Sequence, residues 1–235
     1  MKRIAILLLC VAATISVSAQ RTKSIKAEGP VVTKERSVGE FTGIKVSTGI
    51  DVYLTQGSNT SLSVEAAENL HEYIKTEVRD GILHVFKKVR FINSKVHKAY
   101  VTMSQIESLR TSSAGDIFGE NTIKAGELKL NASSSGDIKV DVNVDKIFVD
   151  CSSSGDIVLS GKADYLKASA SSSGDLKAGE LKVKEAKVRS SSSADITVNV
   201  SETLIASASS SGDIRYYGDP KLEKHVSSSG SVKRK

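Results

Sequence analysis

The hexapeptide Ser-Ser-Ser-Gly-Asp-Ile, or a near copy of it, recurs through the second half of the chain, and no other feature constrains the fold as tightly. Its glycine position falls at Gly115, Gly136, Gly155, Gly174, Ala194, Gly212 and Gly230, at intervals of 21, 19, 19, 20, 18 and 18 residues. A period of about 20 residues marks a solenoid, in which each repeat is one turn that needs its neighbours to bury its apolar face.

Within one repeat, Leu128, Leu130, Ala132, Ser134, Gly136, Ile138 and Val140 put an apolar or small side chain at every second position. Period two is the signature of a half-buried strand. The next turns repeat it from Ile147 to Leu159 and from Leu166 to Ala178. These positions are assigned to the interior, including middle serines such as Ser134 and Ser153, whose hydroxyls would need internal partners. Small inward residues imply a coil that narrows or bends at the glycines. The expected fold is all-β, a parallel β-helix of about 20 residues per turn, right-handed because parallel crossovers take that hand.

The opposite parity faces solvent. It carries an aspartate column, Asp116, Asp137, Asp156, Asp175, Asp195 and Asp213, ending at Ser231, and beside it a serine column that includes Ser135, Ser154 and Ser173. Neighbouring rungs lie about 4.8 Å apart, so like side chains stack into ladders. These residues form the candidate ligand face. Carboxylates at that spacing repel by roughly 0.9 kcal/mol per neighbouring pair even at the dielectric of water. Lys139, Lys177, Arg215 and Lys233, two residues further on the same face, relieve part of it. Two functional readings are open: a calcium ladder, or a polar face that grips a glycan or a partner protein. Calcium takes about six to eight oxygens, and one Asp with two hydroxyls per rung is sparse. A solvated face that keeps the coil soluble explains the column without a ligand, so no cofactor is assigned, calcium being the one candidate.

No residue is assigned to catalysis. A nucleophilic serine needs a positioned base and an oxyanion donor; every motif serine instead has equivalent copies, and no Gly-x-Ser-x-Gly turn occurs. His71, His84, His97 and His225 are scattered without zinc spacing. Tyr165, Tyr216, Tyr217, Phe118 and Phe148 are the aromatics of the repeat half, too few for an evident ring-stacking site and assigned to core or edge packing, with Tyr216-Tyr217 a small contact patch at most. A polysaccharide-acting β-helix enzyme, or a calcium-dependent glycan binder using the aspartates, stays open as the alternative.

Residues 1–19 read as a secretory signal: Lys2 and Arg3, an apolar run from Ile4 to Val11, then Val17-Ser18-Ala19 before Gln20. Leu9 precedes Cys10 where a lipid-anchor signal wants a small residue, so ordinary cleavage is expected. The run is too short for a membrane span. Cleavage lowers the formal net charge from +6 to +4 by removing Lys2 and Arg3, and leaves Cys151 as the one cysteine, at an inward position. Mild basicity spread over many lysines, on an exported chain, does not point to nucleic acid. Residues 20–40 are a polar leader, 41–110 an N-terminal β-rich part of the solenoid, and 111–235 the repeat β-helix with a basic tail. That tail, Lys233-Arg234-Lys235, reads as an electrostatic stop at the last open rung.

Before the repeats come Phe41-Thr42-Gly43-Ile44-Lys45-Val46, Gly49-Ile50-Asp51-Val52-Tyr53-Leu54-Thr55-Gln56-Gly57 and Asp80-Gly81-Ile82-Leu83-His84-Val85. With the serial Ser-Gly-Asp motifs, this order resembles the secreted family described as putative auto-transporter adhesin head domains, or GIN domains. The resemblance covers nearly all of the chain after residue 19. It implies a parallel β-helix-like fold and an envelope or surface location, in a family without an established biochemical activity; with the export signal, the expected location is the periplasm, cell envelope or cell surface. The chain is expected to be an exported, non-enzymatic, adhesin-like or structural binding protein.

Overall fold

The structure is a computed structural model that describes residues 23–235. The secretory-signal assignment therefore lies outside the described residues. Strands occupy 66% of the described residues and helix 1%, and the coil makes about seven turns of ~19 residues. All-β architecture and a β-solenoid, as the repeat demands, are what the chain adopts.

The described residues form nineteen strands joined by short turns. The first nine are β1 (Ser24–Lys26), β2 (Val31–Glu35), β3 (Gly43–Ser47), β4 (Asp51–Gln56), β5 (Ser61–Ala67), β6 (Ile74–Arg79), β7 (Ile82–Lys87), β8 (Arg90–Ile92) and β9 (His97–Met103). A 3-10 turn, Glu68–Leu70, links β5 to β6. The repeats follow as β10 (Ser108–Ser112), β11 (Asp116–Gly119), β12 (Ile123–Ser133), β13 (Ile138–Ser152), β14 (Ile157–Ala170), β15 (Leu176–Ser190), β16 (Asp195–Ala208), β17 (Asp213–Tyr217), β18 (Lys221–Val226) and β19 (Ser231–Arg234).

From β10 onward every pairing is parallel and joins equivalent residues of successive turns. Leu128 pairs with Ile147, Ile147 with Leu166 and Leu166 with Ala186; Ala132 pairs with Cys151, Cys151 with Ala170 and Ala170 with Ser190. All of these are buried. Fully burying an aliphatic side chain contributes about 1.5–3 kcal/mol, and one turn alone would leave both of its edges wet. Alternation breaks once per turn at pairs such as Asp145-Lys146, where two successive residues face out and the strand bends round the core.

The N-terminal part departs from a simple coil. Strands β3 and β4 lie in register on β10 and β11, but β5 pairs antiparallel with β2 and β9, and β6 pairs antiparallel with β7. These strands bury Leu62, Val64, Leu70 and Ile74 over the first rung. At the other end β18 and β19 pair with β16 and β17.

The corner of each repeat differs from the alternation reading. Ser134 is exposed, not inward. It and Ser135 hold φ of 52° and 62°, and the Gly136 N–H closes the turn on the Ser133 carbonyl at 3.1 Å. Two successive left-handed residues define a tight turn of the primed type, and it recurs at Ser153-Ser154, Ser172-Ser173, Ser192-Ser193, Ser210-Ser211 and Ser228-Ser229. Thus the serines bend the chain, and the motif glycines do not. Glycine is needed for space: a Cβ at Gly155 would lie 2.6 Å from the Ser133 nitrogen and 2.7 Å from the Ala132 carbonyl carbon.

Candidate functional site

The aspartate following each corner begins a strand or stands one residue before it, so its side chain projects from the face just past the serine turn. The rungs are in register, and the carboxylates of Asp116, Asp137, Asp156 and Asp175 each reach the backbone of the next aspartate, while the Asp213 N–H is taken by the Ala194 carbonyl. Asp116 Oδ1 accepts the Asp137 N–H at 2.9 Å, Asp137 Oδ1 that of Asp156 at 3.0 Å, Asp156 Oδ1 that of Asp175 at 3.1 Å, and Asp175 Oδ1 that of Asp195 at 2.9 Å. At the last rung, the Ser231 hydroxyl donates to Asp213 Oδ1 at 2.7 Å. A freely solvated column is thereby corrected: one oxygen of most of these carboxylates caps a backbone donor, and hydrogen bonds to a charged acceptor are among the stronger ones.

The outer oxygens meet cations in part. Lys177 donates to Asp156 Oδ2 at 2.7 Å, and Arg215 bridges Asp195 at 2.8 Å and Asp213 at 3.3 Å. Asp51, which the repeat pattern missed, extends the column: it is in register with Asp116 on one side and with Lys98 on the other. Asp51-Val52 aligns with Asp116-Ile117, so Ile50 stands where the repeats carry the motif glycine, and only strand pairing reveals the equivalence. Burial pushes the Asp51 carboxyl up, against the pull of Lys98 and Lys87. Burial also pushes Asp116 up, with the Asp137 and Asp51 charges adding while the Asp137 N–H opposes.

Ser135, Ser154 and Ser173 are exposed at the corner as expected, but their N–H groups are engaged: Ser135 N–H donates to the Ser153 carbonyl and Ser154 N–H to that of Ser172, both at 3.2 Å. Among the described residues, no three His, Cys, Asp or Glu side chains stand where they would hold a metal ion together. The predicted residues do form one continuous ladder. Its chemistry is directed at the coil's own backbone.

Two positions beyond the aspartates runs a second column: Tyr100, Tyr53, Phe118, Lys139, Val158, Lys177 and Thr197. The Tyr53 ring lies 5.4 Å from those of both Tyr100 and Phe118, with Lys98 Nζ 5.0 Å above it. Tyr100 donates to Glu65 at 2.6 Å, which pushes its phenol up to about 12. A groove of about 750 Å³ begins at Tyr53 and Phe118 and continues past Lys139 and Lys177. Assignment of Phe118 to core or edge packing is corrected: three aromatics distant in sequence meet on one outer face.

A larger groove, about 1170 Å³, lies on the face that leads into the serine corners. Its wall positions in the repeats fall five and seven residues before the motif glycine position, in two columns: Arg110, Asn131, Asp150, Ser169, Arg189 in one, with Lys45 of β3 in register ahead of Arg110, and Lys129, Phe148, Lys167, Lys187, Ile205 in the other. The cations are exposed, and Phe148 is half-buried in the outward column between Lys129 and Lys167. Sequence reasoning missed this face because its composition varies from rung to rung. Aligning the repeats on the glycine and reading those two offsets would have found it.

The histidines stay apart. His71 is buried, its Nε2 3.1 Å from the Val32 carbonyl and 3.2 Å from that of Ala66, and burial lowers its pKa. His97 stacks on Phe91 at 5.9 Å and is lowered to about 4, by burial first and the Lys87 charge second. Cys151 is buried with its thiol pushed far up by burial.

A family model described as "Putative auto-transporter adhesin, head GIN domain" matches residues 40–220. A crystal structure named as a putative adhesin from Bacteroides fragilis is 25% identical, covers 90% of this chain and 100% of its own, and superposes with a TM-score of 0.83. One named as a putative adhesin from Parabacteroides distasonis is also 25% identical, with coverages of 91% and 100% and a TM-score of 0.73. Another from Parabacteroides distasonis, named as a putative lipid binding protein, is 23% identical over 91% and 100% of the two chains, with a TM-score of 0.70, a likeness of fold. No curated protein matches the chain.

Proposed function

The chain belongs to the head GIN domain family of auto-transporter-adhesin-like proteins, and from that premise we propose that it is an exported, non-enzymatic binding protein of the cell envelope or surface. Its coil serves as a rigid support that presents ordered side-chain columns to a glycan or protein. The observation that carries this reading is the direction of the aspartate ladder: Oδ1 of Asp116, Asp137, Asp156 and Asp175 each accepts a backbone N–H of the next rung. The repeated motif thereby builds the coil, and recognition falls to the face residues that differ between rungs. Among the described residues no helix is long and apolar enough to cross a membrane.

Calcium binding along the column would have to compete with these N–H donors and with Lys177 and Arg215. Titration of the purified chain with calcium should give neither heat nor a shift in melting temperature. For the main reading, the chain is expressed in full and its cell fractions are probed; it should leave the cytoplasm and begin at Gln20. The purified protein should co-sediment with envelope fragments without altering them. Retention in the cytoplasm, absence of binding, or release of reducing ends from envelope polysaccharide would each overturn it.

A further inference from the structure

The larger groove carries six cations, Lys45, Arg110, Lys129, Lys167, Lys187 and Arg189, against two carboxylates, Asp150 and Glu223. Lys129 pairs with Glu127 at 2.9 Å, and His225 with Glu223 at 3.0 Å. Among the described residues the other five cations make no ion pair. Contrast the neighbouring aspartate face, where Lys177 and Arg215 are paired within the coil. A row of like charges left uncompensated costs folding energy through self-repulsion and concentrates counter-ions, so it is the electrostatic footprint of an anionic ligand.

The register gives this ligand a shape. Cations occur on β3, β10, β12, β14 and β15, which stack with β13 into six successive rungs. At about 4.8 Å per rung these cations span about 24 Å across the strands. Such a length suits an extended polymer lying along the coil axis. On β13, the rung without a cation, Phe148 faces outward between Lys129 and Lys167. An aromatic face beside ammonium groups suits a ring that is apolar on one side and anionic at its rim. Arg110 and Arg189 offer planar forks that match carboxylates in pairs.

We propose that this groove binds a linear acidic polysaccharide, its carboxylates paired by Lys45, Arg110, Lys167, Lys187 and Arg189 and one sugar ring resting on Phe148. The inference rests on the binding-protein reading above and names its face and ligand class. The shape of the groove and its half-buried ring separate this occupant from a membrane surface, which is flat, and from a bare phosphate chain, which has no ring.

The test is calorimetry and co-sedimentation of the full exported chain with polygalacturonate, with neutral dextran, inorganic polyphosphate and phosphatidylglycerol vesicles as comparisons. Polygalacturonate should bind, more weakly as salt rises, and dextran should not. The triple variant K167E/K187E/R189E should weaken this binding on the order of a hundredfold. A control with as many reversals outside the groove, K146E/K162E/K182E, should change it by no more than about twofold. All six positions are exposed, so both variants should melt as the parent does. Replacing Phe148 by Ala should weaken polygalacturonate roughly fivefold while leaving any residual polyphosphate binding unchanged. Equal loss in both triple variants, no loss in either, or binding of polyphosphate or vesicles in preference to polygalacturonate would overturn the proposal. Co-sedimentation of the same variants with envelope fragments separates the two readings. If the parent and K167E/K187E/R189E sediment equally, the groove is wrong and the binding protein stands; if neither sediments, the broader reading falls.

Discussion

At the scale of single residues, the motif divides its work between strain, space and capping. The two corner serines hold left-handed φ near 50° and 60°, a conformation that costs an L-residue roughly 1–2 kcal/mol. The ladder of corner hydrogen bonds repeated on each rung offsets it. At Gly155 no strain of φ is involved, and the side chain is excluded by backbone at 2.6 Å. Gly155→Leu should therefore lower unfolding stability by about 3 kcal/mol, measured by urea denaturation; an unchanged midpoint would place Gly155 off the inner face. The aspartates separate by acceptor and charge. The variant D137N/D156N/D175N keeps an oxygen for each N–H and relieves like-charge repulsion, while it weakens the charge-assisted caps and the Lys177 pair, so its melting temperature should stay close to that of the parent. The corresponding alanine variant loses those acceptors and should cost about 0.5–1 kcal/mol per site. If both variants melt alike, the carboxylates do not cap the rungs.

At the scale of elements, the cap built by β2, β5 and β9 holds two of the groups that make stability depend on acid, a third being His84 on β7, whose pKa burial also lowers. His71 bridges the carbonyls of Val32 on β2 and Ala66 on β5 through Nε2, while its buried Nδ1 has no partner among the described residues. His97 begins β9 with its pKa lowered to about 4. Both pKa values are depressed in the fold, so as pH falls below about 6.5 the unfolded chain takes up protons that the folded chain refuses. The stability they contribute is complete above that pH and is lost as pH falls through the folded values, for His97 between about 6.5 and about 4. Asp51 and Asp116 act oppositely, because their raised pKa values favour the fold as pH falls towards the ordinary carboxylate range. Thermal unfolding should thus show a melting temperature lower at pH 5 than at pH 7, and His97→Asn should flatten that fall. An identical slope in the variant would assign the acid sensitivity elsewhere.

At the scale of the molecule, the two ends of the coil are finished differently. The N-terminal end is covered by antiparallel strands, whereas β18 and β19 present edges carrying Lys221, Lys224 and Lys233, all exposed. The tail expected as an electrostatic stop is itself the last rung, paired with β17, with Arg234 bonded to Asp219 at 3.1 Å. Charged edges resist pairing with another chain. The variant K221T/K224T/K233T should associate in a concentration-dependent way on size-exclusion chromatography, while the parent keeps its elution volume; a variant that behaves as the parent would remove the stop from the lysines.

By itself, the sequence determined what is periodic. The 18–21-residue interval and the two-residue alternation specify a coil, its buried ladders from Leu128 to Ala178 and an outward aspartate column, because parallel stacking converts a repeat in sequence into a column in space. Alternation failed at Ser134, where a left-handed turn sets direction through φ and the period of two no longer applies. What does not repeat was decided by tertiary structure alone. Asp51 joined the column, Tyr53, Tyr100 and Phe118 met on one face, and Lys45 came into line with Arg189 through the stacking of β3 on β10. Each of these joins residues far apart in the chain through backbone pairing between strands, and pairing depends on register in space, which carries no mark in the identity of the side chains it brings together.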